Sequence, residues 1–375
     1  MLLFMDGQAH YSSAQIARKY STLTDTATTW TVATDGRFGH CLKRVSASAF
    51  SGESAMLTIA PLMTRSGVWT PKTSGVAGFA LKVDDLEALA DSSIAYNSTL
   101  IKIAEGASYH CRVNLNPAGT FTLIQNIGSA ENSSGATILA HSVGGIAGGS
   151  WAYLEFKWDL DGGSFEIRVN GSTVLDYTGT ITENELLFNS LGVWNGIKIL
   201  GITSQATPLL TLRMADLYLA DLESADADDV SDFLGDGTIE TIRPNAAGAA
   251  SAWTPSAGSN YQNVDDDAAA DDDATYNSTT APNTIDSYNF ENLPAGSVVN
   301  GVHVNILARK AATGSAAIAP VYRQGGVNYV GPTQGVASED YDRYVMQPMD
   351  LNPATSAKFT ESEINANEFG VKKVI

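Results

Sequence analysis

A chain of 375 residues can bury a substantial core and has the length of two domains. Its 22 Lys and Arg against 41 Asp and Glu give a formal net charge of −19, a field that repels phosphate backbones and argues against a nucleic-acid partner. No apolar run is long enough to span a bilayer, so membrane insertion is not expected, and two cysteines are too few for a disulfide framework.

The opening, MLLFMDGQ, is too short and turns acidic too soon for a secretory signal. Residues 16–20 could form one helical turn. Strand-like pieces then follow at 29–33, 41–45, 54–60, 75–83, 98–104, 109–114 and 120–125, with Gly- and Pro-bearing turns between them. Many short strands at regular spacing predict a sandwich or barrel. Cys41 and Cys111 both fall in such pieces and are expected as buried free thiols.

The stretch 151–177 carries the clearest pattern. Ala152, Leu154, Phe156 and Trp158 alternate with Trp151, Tyr153, Glu155 and Lys157, the period of a strand with one buried face. Asp161-Gly162-Gly163 supplies a turn. Phe165, Ile167 and Val169 then alternate with Glu166, Arg168 and Asn170, and Asn170-Gly171 is a strong hairpin signal before a third strand to Tyr177. Further strands are predicted at 195–203 and 209–220. The segment 223–237, with the acidic run DADD and the apolar Val230, Phe233 and Leu234, is predicted as a linker, with a short helix from about Ser224 to Gly235.

A second, smaller β unit is predicted over 238–375. Its expected strands lie at 238–244, 298–309, 319–323, 326–330 and 341–349, and 362–369 reads as a short helix or loop. The first 222 residues hold 14 basic and 19 acidic groups and the remainder 8 and 22, so the acidity concentrates in the second part.

No nucleophile elbow, P-loop, dinucleotide fingerprint or His-Glu-x-x-His sequence is present, and the five histidines are far apart. Glu155 and Glu166 fall on adjacent strands and invite comparison with a glycosidase pair, but Lys157 and Arg168 are placed to neutralise them, which favours an exposed charge network. The chain is therefore expected not to be an enzyme. Asp265, Asp266, Asp267, Asp271, Asp272 and Asp273 offer oxygen ligands to calcium, against the alternative of a solvated acidic loop, and no other cofactor is expected. Trp69, Trp151, Tyr153 and Trp194 are candidates for stacking on a sugar ring, against the alternative of packing in a core or interface.

The 151–177 meander resembles the sandwiches of concanavalin A-like and laminin-G-like domains. The opening Met5-Asp6-Gly7 with His10-Tyr11, the segment 36–40 (GRFGH), and the C-terminal pieces DDDATYNS, NPATSAKFT and NEFGVK together resemble tail-region virion proteins of tailed bacteriophages. Gln8 and Ala9, Asn352 and Phe359 depart from that family's pattern. The resemblance implies an N-terminal concanavalin A-like jelly roll (1–222), an acidic linker (223–237) and a C-terminal β-sandwich (238–375). It also implies a homo-oligomeric structural component of a virion, made in the bacterial cytoplasm. Its partners would be other tail, fibre or capsid proteins, and it would recognise host surface polysaccharide. A head-decorating protein and a polysaccharide-degrading enzyme are the alternatives.

Overall fold

Strand pairing changes hands at residue 221. The computed structural model describes residues 1–20, 22–24, 29–45, 56–59, 72–89, 98–105, 108–125, 137–181, 196–202, 210–223, 230–266, 270–311, 313–345 and 348–375. Strands up to residue 221 pair among themselves, and so do those from residue 244 onward. The chain is all-β: an N-terminal jelly-roll sandwich followed by a smaller β-sandwich.

The first sheet runs β13 (Ser172–Thr178), β12 (Ser164–Val169), β11 (Trp151–Asp159), β6 (Ser74–Val83), β15 (Thr211–Asp221), β4 (Cys41–Val45) and β3 (Thr29–Ala33), and β1 (Leu2–Asp6) also pairs with β15. The second runs β10 (Thr137–Gly145), β9 (Thr120–Gln125), β8 (Ser108–Leu115), β7 (Ser98–Glu105), β14 (Gly196–Ile202), β5 (Met56–Ile59) and β2 (Thr22–Thr24). The residue period of two sends Phe79, Leu154, Phe156, Trp158, Phe165 and Ile167 from one sheet, and Ile101, Val113, Phe121, Leu123 and Ile197 from the other, into one shared core. Each such side chain, fully buried, contributes about 1.5–3 kcal/mol of transfer free energy.

The predicted meander has the expected register, Leu154 opposite Val169 and Trp158 opposite Phe165. Asn170 and Gly171 take φ of 48° and 78°, the positive pair a two-residue hairpin turn needs. Its second face differs from expectation. Tyr153 and Glu155 are buried and Trp151 is half-buried, because Val230, Phe233 and Leu234 pack over the sheet with Tyr218 and Ala80. The segment 230–235 is not helical; residues 224–229 lie outside the described residues. Its amides serve the sheet instead: Leu234 N donates to Tyr218 Oη (3.3 Å) and Gly235 N to Glu155 Oε1 (2.8 Å).

Asp6 organises the start of the chain. Its carboxylate accepts 2.6 Å bonds from the hydroxyls of Tyr11 and Tyr20, all three being buried. A 3-10 turn, Ser13–Arg18, brings Tyr20 back to it. Gly7 allows the backbone of Ile239 to approach; a Cβ there would meet Ile239 O at 2.2 Å. The opening motif is thus a structural one.

In the C-terminal part, Pro244–Ser251, Ile285–Phe290, Glu368–Lys373, Ala317–Gln324 and Val327–Val330 form the main sheet in that order. A ribbon of Asn305–Ala308 with Asp342–Val345 supplies Ile306 and Tyr344 to one core cluster with Ile318 and Val371. Helix α1 (Glu361–Ala366) supplies Ile364 to another with Tyr322 and Phe369. Thr360 caps α1 and pairs reciprocally with Glu363. The expected strand at 238–244 is absent: pairing begins at Pro244, and the preceding residues bond across to the first sheet, as when Ile239 N donates to Asp216 Oδ1 (2.9 Å). Of 298–309, residues Asn305–Ala308 are strand, while Val302 makes an isolated bridge to Met349. Among the described residues no helix is long and apolar enough to cross a membrane.

The two parts are joined by side chains as well as by the chain. Leu2 N donates to Asp350 Oδ2 (2.6 Å), Lys19 Nζ to Asn305 Oδ1 (3.0 Å) and Arg243 to Ala9 O (2.8 Å).

Candidate functional site

The outward face of the second sheet gathers polar side chains that the sequence scatters over a hundred residues. On β8, Cys111, Val113 and Leu115 enter the core, so His110, Arg112 and Asn114 face outward. On β7 and β14, Ile103 and Ile197 point in and Lys102 and Lys198 point out.

Register then aligns two rows. Lys198 pairs with Lys102, and Lys102 with Arg112, setting three cations side by side on adjacent strands. Thr99 pairs with Asn114, Asn114 with Thr122 and Thr122 with His141, forming a second row of hydroxyl, amide and imidazole groups. Neighbouring strands lie ~4.8 Å apart, so each row is a ladder of closely spaced groups. Thr99 Oγ1 donates to Asn114 Oδ1 (3.1 Å), Asn116 Nδ2 donates to Thr122 Oγ1 (3.1 Å), and Thr122 Oγ1 lies 3.1 Å from His141 Nδ1. Lys102 and Arg112 are buried, Lys198 is half-buried, and His141 is exposed at the outer strand beside Ile138, which is 50% exposed.

Among the described residues, those singled out by sequence do not form a site of their own. Trp69 and Trp194 lie outside the described residues. Tyr153 is buried, and its hydroxyl donates to Asp216 O (3.3 Å); Trp151 packs in the same cluster, so neither offers a free ring face. Glu155 and Glu166 are not an acid–base pair. Glu155 is buried beneath Leu234 and Gly235, and burial raises its pKa although Tyr218 and Gly235 donate to it. Glu166 stays near the surface. Burial there is outweighed by Thr173 and Arg168, which hold its carboxyl below the usual range. The charge network expected for both therefore holds for Glu166, Arg168 and Lys157, and fails for Glu155.

The aspartate run is spread over separate tasks. Asp271 accepts from Thr275 N and Oγ1 (3.1 and 2.7 Å), Asp273 pairs with Arg309 (2.6 Å), and Asp266 accepts a long contact from Asp271 N (3.4 Å). Burial and the neighbouring aspartates raise the Asp266 carboxyl. Asp267 lies outside the described residues; among those described, no group of three or more carboxylate, His or Cys side chains converges on a metal-sized site. The buried carboxylate nearby is Asp286, which Asn260 and Tyr288 saturate as donors (2.7 Å each).

No family model matches the chain, and no curated protein does. Among solved structures it is similar to a sialidase (13% identity, 53% of this chain but 16% of the sialidase, TM-score 0.34). It is also similar to cellulose induced protein Cip1 (13%, 57% and 90%, 0.36). A third is the endo-β-1,4-glucuronan lyase from Trichoderma reesei (12%, 54% and 91%, 0.37). Likeness at this level assigns no residue a role.

Proposed function

We propose that the chain is a glycan-binding β-sandwich protein and that the contact lies at the accessible edge of its second sheet's outer face, where Lys198, Ile138 and His141 reach solvent. The observation that carries this is the in-register pair of rows, Lys198–Lys102–Arg112 and Thr99–Asn114–Thr122–His141. Hydroxyl and amide groups in a row suit the hydroxyls of a sugar chain, and Lys198, the accessible cation of its row, favours chains bearing carboxylates. The acidity of the whole molecule does not oppose this at the contact itself. Charges farther away than the ~8 Å screening length at physiological salt count for little, and most of the excess acid lies after residue 222. Affinity electrophoresis of the full chain in gels holding alginate or neutral dextran tests the reading. Alginate is expected to retard the wild type, and Lys198→Glu to reduce that retardation. No retardation by alginate, or equal retention by single-stranded DNA, overturns it. Release of reducing ends from alginate above a heat-killed control would make the face catalytic.

The setting we propose is a bacteriophage particle, with copies of this chain and other virion proteins as partners. One structural observation favours it: the residues that carry the resemblance, Asp6, Gly7, Tyr11 and Gly370, sit at points where the fold needs that residue type, as expected of a shared scaffold. Labelled antibody on purified particles tests it, and absence of label from the particle rejects it.

A further inference from the structure

At the seam between the first sheet and residues 238–243 lies a cleft of about 190 Å³, lined by Phe38, His40, Asp216, Ile239, Glu240 and Arg243 among others. It is smaller than the ~300–1,000 Å³ pockets of drug-sized ligands, and suits a single ring.

Asp216 is set there by an unusual local structure. It occupies the bulge at which β15 changes partner from β4 to β1, with φ of 53°. Gln8, opposite it, also has positive φ (59°), rare for a residue of its size. The backbone of Asp216 is satisfied: its N–H donates to Gln8 Oε1 (3.3 Å) and its carbonyl accepts from Tyr153 Oη (3.3 Å). Its Oδ1 accepts from Ile239 N (2.9 Å). The residue is 5% exposed, and Oδ2 has no hydrogen-bond partner. A buried carboxylate oxygen without a donor costs ~1–3 kcal/mol or more, a cost a ligand donor would remove. Strained backbone and unmet polar atoms gather where ligands bind.

The rest of the lining defines that ligand. Phe38 is 64% exposed on the rim, and its ring is held by the Arg37 guanidinium at 4.8 Å; Arg37 is itself fixed by a bidentate pair with Asp236. A large aromatic ring kept in solvent is a platform for the apolar face of a sugar. Arg243 is engaged by Ala9 O and Asp266 O, while Asp216 and Glu240 leave the lining rich in acceptors, so anions are disfavoured and hydroxyl donors favoured. We infer that this cleft is a second glycan subsite, taking one neutral pyranose ring that stacks on Phe38 and donates a hydroxyl to Asp216 Oδ2. The site lies on the other sheet from the polar rows and stands or falls independently of them.

Ligand-observed NMR titration of the full chain with methyl glucoside, methyl galactoside and methyl mannoside, and with glucuronate as the acidic comparison, tests this. At least one neutral glycoside is expected to bind, with glucuronate weaker. Phe38→Ala, a surface change that leaves the core intact, should weaken binding at least fivefold, and Asp216→Asn at least tenfold. Absence of binding by all three neutral glycosides, or unchanged affinity in Phe38→Ala, overturns the inference. So does a crystal soaked in the best glycoside that shows only water at Oδ2.

Discussion

The Tyr218 hydroxyl donates a 2.6 Å hydrogen bond to Glu155 Oε1 across the bare backbone of Gly78. A Cβ on Gly78 would lie 2.3 Å from Tyr218 Cε1 and 3.1 Å from Glu155 Cγ, so the pair requires glycine. The same two side chains receive Leu234 N and Gly235 N, and Phe233 lies under the Arg168 guanidinium at 3.9 Å. Residues 233–235 of the connection between the two parts are therefore docked on the first sheet.

Gly78→Ala should release that dock. Overpacking of this kind costs ~1–3 kcal/mol. The denaturation midpoint should fall, and limited proteolysis within residues 230–237 should quicken. An unchanged cleavage rate would show that the Tyr218–Glu155 pair does not hold the segment.

Asp216 sets a pH dependence of stability. Burial raises its pKa from 3.8 to about 6, against the Ile239 N–H and the Arg37 charge, which lower it, and with Glu240 and Asp236, which raise it further. Between these values the native state binds a proton that the unfolded chain releases, so stability falls as pH rises from about 4 to 6 and stays lower above it. At about 1.4 kcal/mol per unit the full effect is of order 3 kcal/mol. Asp216→Asn should remove most of this slope and raise the midpoint at pH 7 relative to wild type. Parallel stability curves for the two proteins across pH 4–7 would refute the assignment.

How much of this could be read beforehand follows from the range of each signal. The 151–177 meander was legible because period two and an Asn-Gly turn are local, and Asn170 and Gly171 have the dihedrals the dipeptide encodes. Strands 29–33, 41–45 and 120–125 were placed to the residue. The burial of Tyr153 and Glu155 was not legible: alternation tells which residues share a face, and nothing local tells that Phe233 and Leu234 will cover the polar one. The rows on the second sheet were hidden for a related reason. The stretch 109–114 reads only as one more strand, and the alignment of His110, Arg112 and Asn114 with Lys198 and His141 is set by long-range register. Asp216 gave no signal, since its importance comes from a bulge and from a backbone more than twenty residues away.

The two cysteines should be inert in the native protein. Burial raises the Cys41 thiol to about 12, with Asp35 adding to the effect, and raises Cys111 as well. Thiolate, the reactive form, is then scarce at neutral pH. Neither thiol should be alkylated by iodoacetamide until denaturant is added, when both should react. Rapid native labelling at Cys111 would show that the second sheet opens.

Asp6→Ala should be among the most damaging single changes outside the large core side chains. It removes the charged acceptor shared by the hydroxyls of Tyr11 and Tyr20, each fully or nearly fully buried and each held protonated by burial and by Asp6. A hydrogen bond to a charged group contributes about 1.5–3 kcal/mol, so losing two should cost several. Tyr20→Phe, which removes one donor and leaves Asp6 with Tyr11, should cost about 1 kcal/mol. Urea midpoints of the two variants check the ranking, and a Tyr20→Phe loss equal to that of Asp6→Ala would mean that packing of the ring, and not the shared carboxylate, holds this end of the chain.

Calcium should leave stability unchanged. Among the described residues the acidic run directs its carboxylates to Thr275 and Arg309, and its elements do not converge. A hard cation needs about six to eight oxygens at 2.3–2.6 Å around one point. Thermal midpoints in calcium and in excess chelator should coincide. A rise in calcium that Asp271→Asn and Asp273→Asn abolish would place a cation among Asp265, Asp266, Asp271, Asp272 and Asp273, and would require the loop to rearrange away from its present bonds to Thr275 and Arg309.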